Sequence, residues 1–125
     1  TFDFSTGAVY AATSSGGLVG TMHSYSSISN SFATGNVTAM VSNKASFGGL
    51  VGYLPGTVGV TITNSYSTGA VQNDTGVVGT TYLGGFAGQN SVASVFTDNY
   101  WNSTANPSFD VTTGGVAGTV SATVA

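Results

Sequence analysis

The sequence predicts an all-β fold, a parallel β-helix or β-solenoid of about four coils that is built from repeats of about 34 residues. Two short motifs alternate along the chain. The apolar stretches between them are short and are separated every few residues by Gly, Ser, Asn or Thr, as in many short strands joined by turns. Strong helix formers are scarce, whereas Gly and the β-branched residues Val and Thr are abundant.

The first motif is Gly-Gly-x-x-Gly. Its four copies occupy residues 16–20, 48–52, 84–88 and 114–118. A pair of glycines costs conformational entropy unless the backbone needs a positive φ or a close approach, so we expect four equivalent corners that lead into short strands. The apolar residues in and beside the motif are then expected to face the core; they are Leu18, Val19, Leu50, Val51 and Phe86.

The second motif is aromatic-small-Thr-Gly-x-Val. It begins at Phe4, Phe32 and Tyr66, and a decayed copy begins at Tyr100, where Trp101 displaces the Thr-Gly consensus. Its glycine is interpreted as a second corner or a bulge. Two corners and a variable connection predict roughly three short sides per unit. The intervals favour one coil per repeat and leave two smaller coils of about 16 residues open.

Positions that recur once per coil are expected to stack at the spacing of about 4.8 Å between strands. Two ladders follow from this expectation. Phe4, Phe32, Tyr66 and Tyr100 form an aromatic ladder, in which the rings point inward or stack along the solenoid. Asn30, Asn64 and Asp98 form an amide ladder.

The chain is expected to form a single repeat domain over residues 1–125. Its units are approximately 1–15, which is partial, then 16–47, 48–83 and the degenerate 84–125. One unit has too few core side chains to bury a face alone, whereas neighbours in register bury a continuous column.

Composition excludes several function classes. The chain has one Lys and no Arg and carries a net charge of −3, which argues against nucleic-acid binding. It has no Cys and therefore no disulfide framework. No apolar run reaches 18 residues, so we expect no membrane span, and we expect no export signal at the start of this sequence.

Catalytic chemistry is equally sparse. The sequence has no Glu, and a lone His23 has no acidic or second His neighbour in sequence. Asp74 is interpreted as a turn residue, and Asp98 belongs to the predicted ladder. We therefore expect no enzymatic activity, no metal site and no cofactor.

The two motifs together resemble the GLUG repeat, which is found in large bacterial and archaeal surface proteins such as filamentous-haemagglutinin-like adhesins. The similarity rests on Gly-Gly-Leu-Val-Gly followed by Ile-x-Asn-Ser-Tyr/Phe-x-Thr-Gly-x-Val, and residues 99–102 are similar to the way such arrays finish. The resemblance implies a β-solenoid, an extracellular or cell-surface location, and no catalytic motif.

Three functions remain open. The first is a structural subunit of an extracellular filament or surface polymer, whose partner is a second copy of the chain. The second is a segment of a large adhesin, which is covered by flanking repeats of a longer chain and binds glycans or neighbouring surfaces. The third is a carbohydrate-active β-helix in which exposed aromatic rings stack on sugars; the candidate rings are Tyr25, Tyr53, Tyr82 and Trp101.

Neither end of the predicted column looks capped by sequence, so both ends are candidates for self-association. At the start these residues are Phe2 and Phe4, and in the tail, which resembles an unpaired strand, they are Val116, Val120 and Val124. Three N-x-T sequons are candidate N-glycosylation sites. Asn73 and Asn102 are expected to be better acceptors than Asn36, because their surroundings resemble loops.

Overall fold

The computed structural model describes residues 2–40, 44–55, 58–77, 81–91, 95–106 and 123–124. This part of the chain contains no helix, and all the strand pairs in it are parallel. Seventeen short strands are present in it: β1 (Phe4–Ser5), β2 (Val9–Ala11), β3 (Ser15–Gly16), β4 (Val19–Thr21), β5 (Ser27–Ser29), β6 (Phe32–Ala33), β7 (Val37–Ala39), β8 (Ser46–Gly48), β9 (Val51–Leu54), β10 (Thr61–Thr63), β11 (Tyr66–Ser67), β12 (Val71–Asn73), β13 (Tyr82–Gly84), β14 (Ala87–Asn90), β15 (Val95–Thr97), β16 (Tyr100–Asn102) and β17 (Thr123–Val124).

The strands form five narrow sheets that run along the column. The chain visits the five sheets in a fixed order and then returns to the first. Up to β16, each strand therefore pairs with the strand that lies five places earlier in the chain. Sheet A contains β1, β6, β11, β16 and β17, sheet B contains β2, β7 and β12, sheet C contains β3, β8 and β13, sheet D contains β4, β9 and β14, and sheet E contains β5, β10 and β15. Coil 1 is therefore β1 to β5, coil 2 is β6 to β10, coil 3 is β11 to β15, and β16 begins coil 4. The predicted parallel β-solenoid is confirmed.

The register of sheet A fixes the length of a coil. Phe4 pairs with Phe32, Phe32 with Tyr66, and Tyr66 with Tyr100. One repeat is therefore one coil, and the alternative of two coils of about 16 residues is wrong. Each complete coil contains five short strands and not the three sides that the motif spacing predicts.

An additional corner explains part of that difference. Asn30, Asn64 and Asp98 follow the last strand of coils 1, 2 and 3, and they have φ values of 52°, 48° and 52°. Asn and Asp tolerate this left-handed conformation better than other residues with a side chain. The three positions are thus structurally equivalent, as the repeat predicts, but what they share is a backbone turn, and all three residues are exposed.

Both predicted glycine corners are present, and both are explained by close approach. The chain bends directly after Gly16, Gly48 and Gly84, between sheets C and D. A Cβ on the second glycine of each pair would overlap a side chain on sheet A: Ala33 for Gly17, Ser67 for Gly49 and Trp101 for Gly85. The fourth copy of the motif, at residues 114–118, lies outside the described residues.

The core lies inside the coils and consists of two apolar clusters. Leu50, Val51 and Phe86 are fully buried, as predicted, and Leu18 and Val19 are partly buried against the same cluster. A second cluster lies between sheets B and C around Val37, Phe47 and Val71. The motif residues with the least burial belong to coil 1, which is covered by another coil on one side only.

Candidate functional site

The aromatic ladder lies on the outer surface of sheet A. The rings of Phe4 and Phe32 are 5.4 Å apart at an angle of 16°, and those of Phe32 and Tyr66 are 5.0 Å apart at 4°. Phe4 is 61% exposed, and Tyr66 and Tyr100 are also exposed. The predicted stacking is confirmed for the first three rings, but the ladder faces solvent and not the core.

This geometry limits what the ladder can bind. Sugar rings bind aromatic side chains through the ring faces. In this stack both faces of Phe32 and one face each of Phe4 and Tyr66 are covered by a neighbouring ring. Phe2 packs beside the stack, with its ring 6.5 Å from Phe4 and 6.2 Å from Phe32. The ladder therefore presents mainly ring edges to solvent and acts as a packing element between coils.

Of the four rings considered for sugar stacking, Trp101 is buried and Tyr25 is highly exposed. Trp101 is 6% exposed and belongs to the core cluster, so its assignment as a sugar-stacking residue is wrong. Its Nε1 has no hydrogen-bond partner among the described residues. Tyr25 is 81% exposed and adopts a φ of 60°, and a Cβ placed on Gly59 would lie 2.8 Å from Cδ1 of its ring. Tyr53 and Tyr82 are half-buried.

A second ladder runs along the start of sheet A, and sequence reasoning missed it. The N–H of Asp3 donates to Oγ of Ser31 (3.1 Å), the N–H of Ser31 donates to Oγ of Ser65 (3.1 Å), and the N–H of Ser65 donates to Oδ1 of Asn99 (3.0 Å). Each of these side chains therefore accepts an N–H from the coil below. The signal in the sequence is a small polar residue directly before each ladder aromatic.

The C-terminal end of sheet B is closed by a side chain. In the lower coils a backbone carbonyl of the next coil accepts the N–H of the first residue of the strand, as for Val9 to Asn36 and Val37 to Ala70, both at 2.8 Å. In coil 3 the N–H of Val71 donates instead to Oδ1 of Asn106 at 2.8 Å. The side-chain amide of Asn106 thus replaces the missing backbone.

The nitrogen of the same amide completes the cap. Nδ2 of Asn106 donates to the carbonyl of Gly69 (3.2 Å) and to that of Asn102 (3.0 Å). On sheet A, β17 pairs with β16, with Val124 opposite Asn102. The interpretation of the tail as an unpaired strand is therefore wrong at residues 123–124, and the C-terminal end is covered over sheets A and B. Val116 and Val120 lie outside the described residues.

The N-terminal end is different. All five strands of coil 1 are the last strands of their sheets, and among the described residues no strand pairs with their lower edges. A Cβ placed on Gly7 would meet none of the described residues within 4 Å, whereas one on Gly35 would overlap the carbonyl of Gly7, and one on Gly69 would overlap the carbonyl of Gly35. Coil 1 therefore offers an open copy of a contact that is filled between the other coils.

The three sequons differ in their hydrogen bonds. Asn36 and Asn73 are exposed, and their Oδ1 atoms accept bonds from the N–H of Ala70 and the hydroxyl of Thr81, each at 2.9 Å. Asn102 is half-buried. Its Nδ2, the atom that a glycan would modify, donates to the carbonyl of Thr68 at 3.3 Å. The geometry thus favours Asn73 over Asn102, and glycosylation itself stays a prediction.

The titratable residues singled out from the sequence lie on the surface where the structure describes them. His23, Lys44, Asp74 and Asp98 are all exposed. Over the described ranges, no group of three or more His, Cys, Asp or Glu residues could hold a metal ion. The same ranges contain no helix with the length and apolar character that crossing a membrane requires.

Comparison with known proteins gives one match. Residues 11–38 match the GLUG motif, a stretch that runs from the end of β2 through the first Gly-Gly corner to the Thr-Gly step and β7. The resemblance drawn from the motifs is confirmed over that stretch. Neither the curated proteins nor the solved structures include a match to this chain.

Proposed function

We propose that this GLUG-repeat chain is a structural β-solenoid of an extracellular or cell-surface assembly, which acts by stacking coils through strand edges and not by turnover. The observation that carries the proposal is the open lower edge of coil 1, where five strands end their sheets side by side. Unpaired strand edges are templates for a further strand. The chain has only five charged side chains to repel such a strand.

The arrangement of the two ends favours a segment of a larger surface protein over a head-to-tail homopolymer. A homopolymer needs a C-terminal end that fits the open edge of the next copy. Over sheets A and B that end is occupied by β17 and by the amide of Asn106. Repeats that flank this segment in a longer chain would have no such cap.

A location outside the cell is supported by the composition of the outer face and by the GLUG motif. Ser and Thr supply 36 of the 125 residues, and they give a surface that is polar without being charged. Antibodies raised against the purified chain should label intact producing cells. Labelling that requires permeabilised cells would contradict the surface proposal.

A second candidate function is glycan binding by Tyr25, and one observation favours it. An aromatic residue with positive φ is uncommon, and such strained residues cluster at binding sites. Tyr25 packs against Gly59 and is 81% exposed. On a glycan array Tyr25→Ala should abolish binding, whereas Tyr10→Ala, which removes another exposed ring, should leave it unchanged. Equal binding by both variants would exclude this candidate.

A further inference from the structure

We infer that the lower edge of sheets A and B, around Gly7, is a docking surface for a repeat coil of the same kind that is not capped. The inference rests on the proposed stacking function and names the partner: a parallel coil with its own aromatic-small-Thr-Gly run. The docking surface is defined by Asp3, Phe4, Thr6, Gly7 and Ala12.

The close packing at the glycine step determines which partner can fit on this edge. Between coils 1 and 2, Gly35 packs directly on the carbonyl of Gly7, and between coils 2 and 3, Gly69 packs on the carbonyl of Gly35. The same side of Gly7 has no neighbour within 4 Å in the part of the chain that the structure describes. It can therefore receive a glycine carbonyl from a coil below, at a spacing that a side chain would prevent.

The hydrogen-bonding groups of this edge match the same partner. In coil 2 the N–H groups of Phe32, Thr34 and Met40 donate downward to the carbonyls of Asp3, Ser5 and Ala11, at 3.0, 3.0 and 2.9 Å. By register, the N–H groups of Phe4, Thr6 and Ala12 point downward from coil 1 in the same way. They require three carbonyls from the docked coil.

Asp3 supplies the complementary acceptor. Ser31 and Ser65 accept an N–H from the coil below, and Asp3 holds the same position in coil 1, where it is exposed. A docked coil in register would place an N–H group near this carboxylate. An N–H that donates to a charged acceptor forms a stronger bond than one that donates to a hydroxyl. Asp3 therefore suits the edge of the column better than a serine would.

A second copy of this chain does not offer the required coil. Above its coil 3, sheet A is already covered by β16, and the carbonyl of Gly69 is bonded to Asn106. In coil 4, Asn102 and Ser103 stand in place of the Thr-Gly step, and β17 pairs with β16 above it. The occupant is therefore a repeat coil from outside the capped end.

The test uses a chain extended by one coil. A second copy of residues 29–62 is fused directly before Thr1, because Thr1 aligns with residue 63 in the repeat and the fusion keeps the register of Phe4 with Phe32 and Tyr66. Gly7→Ala is then made in the original chain and in the extended chain. In the original chain we expect no change in Tm, because the new methyl group meets nothing. In the extended chain we expect Tm to fall by roughly 5 °C or more.

Hydrogen exchange provides a second readout. The amides of Phe4, Thr6 and Ala12 should exchange at least tenfold more slowly in the extended chain than in the original one. A silent Gly7→Ala in the extended chain, or unchanged exchange at the three amides, would overturn the inference. Filaments or dimers of the original chain that disappear in Gly7→Ala would also overturn it, because the occupant would then be a second copy. Failure of cell-surface labelling would refute the proposed location and leave these results untouched.

Discussion

The contact between successive Thr-Gly steps gives the sharpest prediction for stability, which is that Gly35→Ala is strongly destabilising whereas Gly7→Ala is not. The two glycines occupy the same position in adjacent coils and share the same sequence motif. They differ in their surroundings: the Cβ of an alanine at position 35 would overlap the carbonyl of Gly7, whereas that of an alanine at position 7 would meet none of the described residues within 4 Å.

The size of the stability loss in Gly35→Ala depends on which part of the structure must move to make room for the methyl group. Backbone cannot rotate away as a flexible side chain can, so coils 1 and 2 must separate locally. The bonds on either side of the step, from the N–H of Thr34 to the carbonyl of Ser5 (3.0 Å) and from the N–H of Val9 to the carbonyl of Asn36 (2.8 Å), then lengthen or break. Each bond contributes about 0.5–1.5 kcal/mol and overpacking costs about 1–3 kcal/mol, so the free energy of unfolding should fall by about 2–6 kcal/mol.

Urea unfolding followed by circular dichroism measures this difference. Gly7→Ala should change the free energy of unfolding by less than about 0.5 kcal/mol, or raise it slightly by restricting the unfolded chain. Because the two variants add the same methyl group to the same motif, propensity effects cancel in the comparison. Equal stability of Gly35→Ala and Gly7→Ala would refute the account of the Thr-Gly glycine as a site of close approach.

Three further predictions concern the core, the C-terminal cap and catalysis. Leu50→Ala should cost about 2–5 kcal/mol in urea unfolding because Leu50 is fully buried, and a loss under about 0.5 kcal/mol would mean that the motif faces solvent. Asn106→Ala should cost about 1–3 kcal/mol and speed the exchange of the Val71 amide, since that N–H loses its acceptor, and unchanged exchange would exclude the cap. A glycan-degradation screen should show no turnover. Activity that disappears in Asp74→Asn or Asp98→Asn would contradict a purely structural role.

The register of the solenoid could be predicted from sequence because the stacking condition is visible in it. Coils that pair in parallel place residues one repeat apart next to each other, so Phe4, Phe32, Tyr66 and Tyr100 identify their own partners. The inward position of Leu50 and Val51 follows from the same repeat. The turn at Asn30 and Asn64 could also be predicted from sequence, since Asn tolerates positive φ. The repeat alone instead favoured a side-chain ladder at these positions.

The orientation of the aromatic ladder was less predictable. Aromatic residues at a recurring strand position favour stacking whether the strand presents them to the core or to solvent, and strands of two residues are too short to show an alternation. The neighbouring small residue decides the question. Ala33 and Ser67 pack on the glycine corner inside the column, so the preceding residue points outward.

The cap at the C-terminal end could not be predicted, because it depends on where the chain travels after it leaves the repeat. Asn106 lies outside both motifs, yet its amide reaches the backbone of coil 3. Its Oδ1 accepts the N–H of Val71, which a further coil would otherwise pair, and its Nδ2 donates to the carbonyl of Gly69. An amide side chain can do this because it carries the same two groups as a peptide bond. The polar ladder ends in the same way: Asn99 stands where Ser31 and Ser65 stand in lower coils, and its Nδ2 donates to the carbonyl of Ile62 at 2.7 Å. Sheet B is thus ended by an amide side chain that replaces backbone, whereas on sheet A the strand β17 covers β16.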